Sequence, residues 1–421
     1  MQNTQTSGQN DDDPSTDYKM YPGWRIVAVA FFVDFIAVGF FFYSYGVFFK
    51  SLSEEFGGSR TGVSFGLVVS NVVGSLASPF IGRMLDRYPI KNIMMSGAVT
   101  VSIGFFLLSN IQTQWQFYLV LGSFIAIGTA CMGGLATSKL VANWFVKRRG
   151  TALGLAAMGI SFSGMVMPPV STWVIEQVGW RGGFLTFSIA TVCLVIPMVW
   201  LFVITRPENI GLLPDGEARS PSMNPANLAP AQPMRTWDII KSRTFLTMVC
   251  AFGFMFGSGS SILAHLIPMV TDTGVDPYRA ASVMSFCAGF GIAGKAFFGW
   301  LVDRVEARRA VWAAQAAHLT GLILLMYADS WLSFAVGASI FGFGMGGSVP
   351  LQAALAGRVF GRDAFGQVMG LLRPMMLPLH MVGIPVSGLI FDYMGNYELA
   401  FLMCICFLII SILIVSTLRV R

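Results

Sequence analysis

The chain has 421 residues, of which 55% are hydrophobic and 11% are charged, and its mean hydropathy is +0.67. Soluble proteins carry about 25% charged residues, so this composition excludes an ordinary soluble domain and predicts a polytopic membrane protein. The net charge of +6 does not indicate a nucleic-acid partner, because the basic residues fall in short loops between apolar segments. The six cysteines have no metal-ligand spacing, so no metal, cofactor or disulfide framework is predicted.

Residues 1–20 are polar and are predicted to form a disordered cytosolic tail. Twelve apolar segments follow, each long enough to cross a bilayer as a helix. The predicted fold class is therefore all-α, a polytopic membrane protein with twelve transmembrane helices. The segments lie at about 24–49, 61–81, 92–110, 116–141, 151–176, 182–205, 244–270, 280–302, 309–328, 332–357, 364–391 and 398–418.

A Pro-rich polar stretch, residues 206–241, separates the sixth span from the seventh. We predict that it is a cytosolic linker between an N-terminal six-helix bundle, residues 21–205, and a C-terminal one, residues 242–421. An internal repeat supports this division, because the segment from Gly82 to Arg87 recurs 217 residues later, from Gly299 to Arg304. Parallel repeats of this kind place the substrate near the bilayer midplane, between the two bundles.

The basic residues predict the orientation of the chain. Twenty of the 27 lie in the loops and tails on the side of the N-terminus, and four lie in the loops on the other side. We therefore expect the protein in the cytoplasmic membrane, with both termini in the cytosol. The remaining three, Lys139, Lys295 and Arg373, fall within spans. Lys139 is only four residues before Asn143, which favours a side chain that snorkels to the interface.

The duplicated G-x-x-x-D-R loop over twelve spans resembles the major facilitator superfamily. A second set of motifs, NWFVKRRG from Asn143 to Gly150 and GWRGGF from Gly179 to Phe184, is similar to the monocarboxylate transporter family, including its bacterial oxalate/formate antiporter branch. The resemblance implies a secondary carrier that works by alternating access and functions as a monomer.

The resemblance also implies a latch that closes the cytosolic side and breaks when the carrier faces inward. Positive-inside topology alone is the alternative explanation of these charges. The expected latch residues are Asp86, Arg87, Asp303, Arg304, Arg148 and Arg149.

Lys295 lies eight residues before Asp303, which places it roughly 12 Å inside the membrane. A cation at this depth costs about 2.5–3.5 kcal/mol, so we expect it to face a watery cavity or an anion; snorkelling is the alternative. In the resembled family an arginine holds the substrate at this position, and lysine keeps its charge without the planar fork. Gly291 stands where animal members carry an aspartate for the coupled proton, so symport and exchange both remain open.

Arg373 is the second buried cation, roughly 15 Å into the eleventh span. It precedes Pro374, and proline leaves helical carbonyls without their usual donors. The arginine therefore either binds substrate or satisfies those carbonyls. A cation in the eighth span and another in the eleventh resemble the oxalate/formate antiporter arrangement, in which both would contact the anion.

Four further residues are candidates for the transport site. Asp34, ten residues into the first span, is either a proton carrier or the counter-ion of a buried cation, with structural capping as the alternative. Helical spacing predicts that Tyr45 shares the face of Asp34 and that Tyr43 projects nearly opposite; both are expected to form walls of the substrate site. His380, two turns after Arg373, either contributes to substrate or proton binding or bonds a neighbouring helix.

These features predict a secondary active transporter of small organic carboxylate anions, as a proton symporter or a carboxylate exchanger. The alternative within transporters is a proton-coupled drug efflux antiporter, which would need several cavity carboxylates where only Asp34 is available. An enzyme or a receptor is the other rival, but no nucleophile–base or metal set and no sensing domain is visible. The expected partners are the carboxylate, a coupled proton in the symport case and the lipid bilayer.

Overall fold

The computed structural model describes residues 21–56, 60–216 and 234–418, and within these ranges all the regular structure is helical. The predicted N-terminal tail and the middle of the linker, residues 217–233, lie outside the described residues. Eleven helices in the described ranges are long and apolar enough to cross a membrane. One of them, Arg149–Phe202, is 54 residues long and covers two predicted spans, so the chain makes the twelve predicted crossings.

The helices before the linker build the first six spans. In order, these are α1 with α2, α3, α4, α5 to α7, the part of α8 before Gly179, and the rest of α8 with α9. Three spans are interrupted by a π turn, at Gly39–Tyr43, Leu121–Ala126 and Thr191–Val195. The helices are α1 (Gly23–Val38), α2 (Tyr45–Glu55), α3 (Arg60–Arg87), α4 (Ile90–Leu108), α5 (Gln114–Val120), α6 (Ile127–Met132), α7 (Gly134–Trp144), α8 (Arg149–Ala190) and α9 (Ile196–Phe202).

The helices after the linker begin with the short α10, and the six later spans are α11, α12, α13, α14 with α15, α16 and α17. Their bounds are α10 (Thr236–Lys241), α11 (Arg243–Asp272), α12 (Pro277–Val302), α13 (Ala307–Met326), α14 (Trp331–Gly346), α15 (Ser348–Phe360), α16 (Phe365–Met394) and α17 (Glu398–Ser416). Two short 3₁₀ turns, Pro207–Ile210 and Pro214–Gly216, lie at the start of the linker.

A glycine separates the fifth span from the sixth inside the long helix α8. Gly179 has φ 71° and ψ 171°, a backbone conformation that is open to glycine and strained for other residues. The helical hydrogen-bond pattern is therefore broken there, and the chain returns across the bundle without a longer loop.

The two sets of helices touch each other closely along two pairs, α3 with α16 and α8 with α12. Glycines permit the approach, because a Cβ on Gly82 would lie 2.1 Å from the carbonyl oxygen of Gly366, and a Cβ on Gly299 would lie 2.5 Å from that of Gly150. These contacts are backbone to backbone, so no side chain can move aside. They close the bundle at the end that carries the repeated G-x-x-x-D-R loops, which we call the latch end.

Candidate functional site

The first half of the latch joins α3 to the beginning of α16. The carboxylate of Asp86 accepts hydrogen bonds from the backbone amides of Gly366 at 2.9 Å and Gln367 at 2.7 Å. These are first-turn amides of α16 that have no partner within the helix, and the residue at the N-cap position, Ala364, has no side chain that could cap them. Asp86 therefore acts as the N-cap of a helix on the other side of the linker.

The second half of the latch repeats this geometry. The carboxylate of Asp303 accepts hydrogen bonds from the amides of Gly150 and Thr151, both at 2.7 Å, and from the Thr151 hydroxyl at 2.8 Å. Gly150 and Thr151 are again in the first turn of a helix, α8, whose N-cap residue, Arg148, makes no side-chain cap. The sequence repeat is thus also a repeat of function, since each aspartate binds the positive end of a helix dipole across the interface.

The four predicted latch arginines do not pair with these aspartates in the described structure. Arg149 bonds the carbonyls of Phe145 and Ala142 near its own helix, and Arg304 lies over the ring of Trp300, 4.2 Å from its centroid. Neither Arg87 nor the Arg148 side chain has a hydrogen bond or ion pair among the described residues. Helix N-termini replace the expected arginines, because the close glycine contacts bring backbone amides within reach of the carboxylates.

Lys139 belongs to the latch instead of snorkelling. Its ammonium lies 2.7 Å from the Asp86 carboxylate and its side chain is 1% exposed. It also donates to the carbonyl oxygen of Arg362, in the loop before α16. A buried cation is stable there because Asp86 compensates its charge. The prediction that Lys139 snorkels to the interface, which came from its distance to the end of the span, is therefore wrong.

The start of the linker is attached to the latch end as well. The carboxylate of Asp215 accepts hydrogen bonds from three successive amides, those of Val146, Lys147 and Arg148, at 2.8, 2.8 and 3.2 Å. Successive amides that converge on one anion form a nest. The linker is thereby anchored to the loop between the fourth and fifth spans.

Two ion pairs attach the same part of the linker to the loop before α16. Arg206 lies 3.0 Å from Asp363, and Glu208 lies 2.6 Å from Arg362. The first residues of the linker therefore contact the latch end on both sides of the interface. This described part of the linker is held in place by these contacts.

A cavity of about 200 Å³ lies between α1, α3 and the fourth span, and Arg373 of α16 lines it. The Arg373 side chain is exposed to this space and has no hydrogen bond or ion pair within the described part of the chain. Arg373 lies eight residues after the start of α16, roughly 12 Å along the helix. Lys295 lies at the same distance from Asp303 along its own helix. An arginine at membrane depth with free donors is a site for an anion.

The fourth span is broken beside this cavity. Helix α6 ends at Met132 and α7 begins at Gly134, with Gly133 at φ −90° and ψ −149° between them. A Cβ on Gly134 would lie 3.5 Å from an Arg373 guanidinium nitrogen. Broken helices at binding sites are a feature of membrane transporters, although the amide and the carbonyl of Gly133 are both hydrogen-bonded here, to Thr129 and from Ala136 and Thr137.

Asp34 lies behind the break. It is 3% exposed, and the Thr137 hydroxyl lies 3.0 Å from both of its carboxylate oxygens. Arg373 is within electrostatic range of the carboxylate but does not form an ion pair with it. The structure therefore brings Asp34 and Arg373 to the same region, with the arginine facing the open space and the aspartate held by α7.

Lys295 is in a different place, at the contact of α12 with α8. It is 8% exposed, and its ammonium donates to the Ser161 hydroxyl of α8. Cys287 is within electrostatic range of both Lys295 and Tyr43, so these two predicted site residues lie in one region. Lys295 is not among the residues that line the Arg373 cavity.

The π turn Gly39–Tyr43, which ends at Tyr43, lies between Asp34 and Tyr45, and its extra residue shifts every later side chain around the helix. Tyr43 lies against Gly164 of α8, where an added Cβ would be 2.7 Å from its ring. Tyr45 is 6% exposed and donates to the carbonyl oxygen of Val63 at 2.5 Å. Tyr45 thus packs against α3 and does not share the cavity with Asp34, because regular helical spacing does not hold across the turn.

His380 bonds a neighbouring helix. Its Nε2 lies 2.6 Å from the Ser260 hydroxyl of α11, and its ring packs beside Phe256. Although it follows Arg373 by two turns on the same helix, it is not part of the cavity wall. These contacts agree with the alternative interpretation from the sequence, in which His380 bonds a neighbouring helix.

The sequence interpretation missed the polar wall of the cavity. Ser70, Asn71 and Ser75 of α3 line it together with the Gly133–Gly134 break. Two signals were available, namely the glycine pair inside an apolar span and three polar residues on one face of the second span. The Asn71 amide donates to the carbonyl oxygen of Leu67 in the same helix.

A twelve-crossing helical bundle with two repeated aspartate caps at one end, and with an arginine at membrane depth that has no hydrogen bond or ion pair among the described residues, has the architecture of a membrane transporter. The model of the Major Facilitator Superfamily matches residues 28–377 and 297–421. The chain belongs to this superfamily.

Its curated relatives include monocarboxylate transporters. Monocarboxylate transporter 13 of Bos taurus is 25% identical over 389 residues, which are 92% of this chain and 87% of that protein. Monocarboxylate transporter 11 of Homo sapiens is 26% identical, with 90% and 79% covered. The MFS-type transporter YcxA of Bacillus subtilis is 23% identical, with 91% and 92% covered.

Solved structures share the fold. The human organic anion transporter MFSD10 (TETRAN) superposes with a TM-score of 0.68 at 14% identity, over 94% of this chain and all of that one. The E. coli fucose:proton symporter FucP superposes with a TM-score of 0.65, also at 14% identity, over 94% and 98%. The chain is thus a major facilitator transporter related in sequence to the monocarboxylate transporters.

Proposed function

We propose that this transporter carries small organic carboxylate anions across the cytoplasmic membrane, with both termini in the cytosol. The observation that carries the proposal is Arg373, whose guanidinium faces a cavity at membrane depth without a hydrogen bond or ion pair in the described chain. A carboxylate matches this group, because its two oxygens accept from two guanidinium N–H donors. The monocarboxylate transporter names of the relatives support the same class.

Charge neutralisation is the proposed coupling mechanism. The empty carrier holds Arg373 and Lys295 at membrane depth, and the one nearby carboxylate, Asp34, is already bonded by Thr137. A bound anion lowers the cost of closing the cavity around Arg373. Binding therefore favours the occluded carrier, which then reopens on the other side.

The latch supplies the conformational part of the mechanism. With the predicted topology the latch end faces the cytosol, so we assign the structure to the state in which the cytosolic side is closed. To face inward, the carrier has to release Asp86 and Asp303 from the helix N-termini. Exchange needs only the loaded carrier to pass through this step, whereas net transport also needs the empty one to do so.

The first prediction concerns Arg373. In proteoliposomes, Arg373→Gln is expected to lower the initial rate of radiolabelled carboxylate uptake at least about tenfold, because it removes charged hydrogen bonds worth roughly 1.5–3 kcal/mol. Arg373→Lys should retain part of the rate, since it keeps the charge and loses the fork. The matched control is Arg279→Gln, which removes an exposed cation at the beginning of α12. Normal uptake by Arg373→Gln at equal membrane levels would refute the proposal.

A further inference from the structure

Two serines in the wall of the Arg373 cavity lack the hydrogen bond that helical hydroxyls usually make. Elsewhere in the bundle such hydroxyls donate to a carbonyl one turn earlier, as Ser78 does to Gly74 and Ser171 does to Met167. In contrast, Ser70 and Ser75 make no hydrogen bond in the described part of the chain, although Ser70 is 5% exposed. Buried polar groups are normally satisfied, so these hydroxyls are available to a ligand.

The free hydroxyls share a face with other polar groups. Positions 70, 71, 74 and 75 of α3 all line the cavity, as expected for neighbours on one helical surface. The Asn71 amide nitrogen donates to Leu67, which leaves its carbonyl oxygen as an acceptor. Opposite this face lies the break at Gly133 and Gly134. The side chains of Ser70, Asn71 and Ser75 therefore provide hydrogen-bonding groups in the same cavity as the Arg373 guanidinium.

The cavity is small and only partly polar. Its volume of about 200 Å³ is below the range of about 300–1,000 Å³ that is typical of sites for drug-sized ligands. Apolar residues of α1, among them Ala37 and Val38, complete the wall. Lys295 does not reach this wall, and the carboxylate of Asp34 lies behind it, 3.9 Å from where a Cβ on Gly133 would be. The surroundings favour a neutral hydrogen-bonding group over a second anionic one.

We propose that Ser70 and Ser75 form a specificity subsite that binds a neutral polar substituent, such as a hydroxyl, on the carboxylate held by Arg373. This inference rests on the proposed function and assigns a second point of contact within it. A site that is built to hydrogen-bond a substrate group rejects an analogue without that group, because its own polar atoms then stay unpaired. Hydroxylated small carboxylates are therefore preferred over unsubstituted ones of equal chain length.

The test measures how strongly butyrate, 3-hydroxybutyrate and 2-hydroxybutyrate each compete with the uptake of a radiolabelled carboxylate into proteoliposomes. The wild-type carrier is expected to favour at least one hydroxylated compound about tenfold or more. The double variant Ser70→Ala/Ser75→Ala should reduce this ratio to near one while its affinity for butyrate is maintained. Ser96→Ala is the control, because the Ser96 hydroxyl bonds Ile93 within its own helix, and it should keep the wild-type ratio.

The outcomes separate the subsite from the function on which it rests. If wild type takes up both kinds of compound equally, or if the double variant keeps the preference, the subsite is refuted and carboxylate transport stands. If wild type recognises none of the three compounds and no other carboxylate, both proposals fail together. The purified single variants are also compared with the wild type by thermal unfolding. A misfolded variant loses affinity for butyrate as well as the preference for hydroxylated compounds, so misfolding is distinguished from loss of the subsite.

Discussion

The charged side chains at membrane depth differ in how they are compensated. Lys139 has a carboxylate partner, Asp86, at 2.7 Å, whereas Lys295 has a neutral hydroxyl and Arg373 has an open cavity. Cations without a carboxylate partner are costly in a bilayer. Compensation is therefore complete at the latch and incomplete where we propose that the substrate binds.

Asp34 is expected to act as the counter-charge of Arg373 in the empty carrier. Asp34→Asn removes this charge, so reorientation of the empty carrier should slow, and net carboxylate uptake should fall about tenfold, which corresponds to ~1.4 kcal/mol on the barrier. Counterflow, in which the loaded carrier does all the crossing, should stay within about twofold. The two rates are measured on the same proteoliposomes.

The control for this variant is Thr137→Val, which removes the hydroxyl that bonds Asp34 and keeps the charge. It is expected to retain most net uptake. An equal loss of counterflow in Asp34→Asn would contradict the counter-charge role, because it would show that the loaded carrier also needs Asp34.

Helices in this protein act in pairs across the interface. The contacts of α3 with α16 and of α8 with α12 are made by glycines, and each is completed by an aspartate that caps the facing helix. An N-cap is worth about 0.5–2 kcal/mol, so the two caps together provide a few kcal/mol for the closed latch. This is enough to hold one state and small enough to be released in each cycle.

Gly299→Ala is expected to open the latch. Its Cβ would lie 2.5 Å from the carbonyl oxygen of Gly150 and 3.0 Å from the Cα of Gly154, and backbone atoms cannot yield as a flexible side chain does. The distance between spin labels at Val146 and Arg309, both exposed at the latch end, should increase by several ångströms. Double electron–electron resonance spectroscopy measures this distance.

The matched control lies on the same helix. Gly289→Ala makes the same substitution in α12 at a position where a Cβ would meet nothing within 4 Å, so the label distance should stay at its wild-type value. An unchanged distance in Gly299→Ala would show that the glycine contact does not hold the latch closed.

At the scale of the whole molecule, the fold follows from hydropathy and the latch from a repeat. The spans and the superfamily were predictable because apolar length and a repeated motif are visible in the sequence. The 217-residue offset also predicted that Asp86 and Asp303 occupy equivalent positions, and both accept hydrogen bonds from the first turn of a facing helix. The predicted boundaries of the two bundles remain a prediction.

The details of the cavity were not predictable by helical spacing. A π turn before Tyr45 and a break at Gly133 change which side chains face one another, and periodicity assumes an unbroken helix. The partners of Asp86 and Asp303 were missed for a related reason, since backbone amides carry no residue-specific signal. The irregular turns decide which side chains of the first and fourth spans lie near the cavity. Ser70 and Ser75 lie on the regular helix α3, and their polar face was visible in the sequence although no prediction was drawn from it.

The most direct test of the account is solute counterflow in proteoliposomes with a panel of radiolabelled mono- and dicarboxylates and, for contrast, organic cations. Each compound is measured with and without an inward-acid pH gradient. The account predicts saturable counterflow of at least one small carboxylate, lost in Arg373→Gln and kept in Arg279→Gln. Counterflow of organic cations alone, unaffected by Arg373→Gln, would contradict it and would favour a drug antiporter.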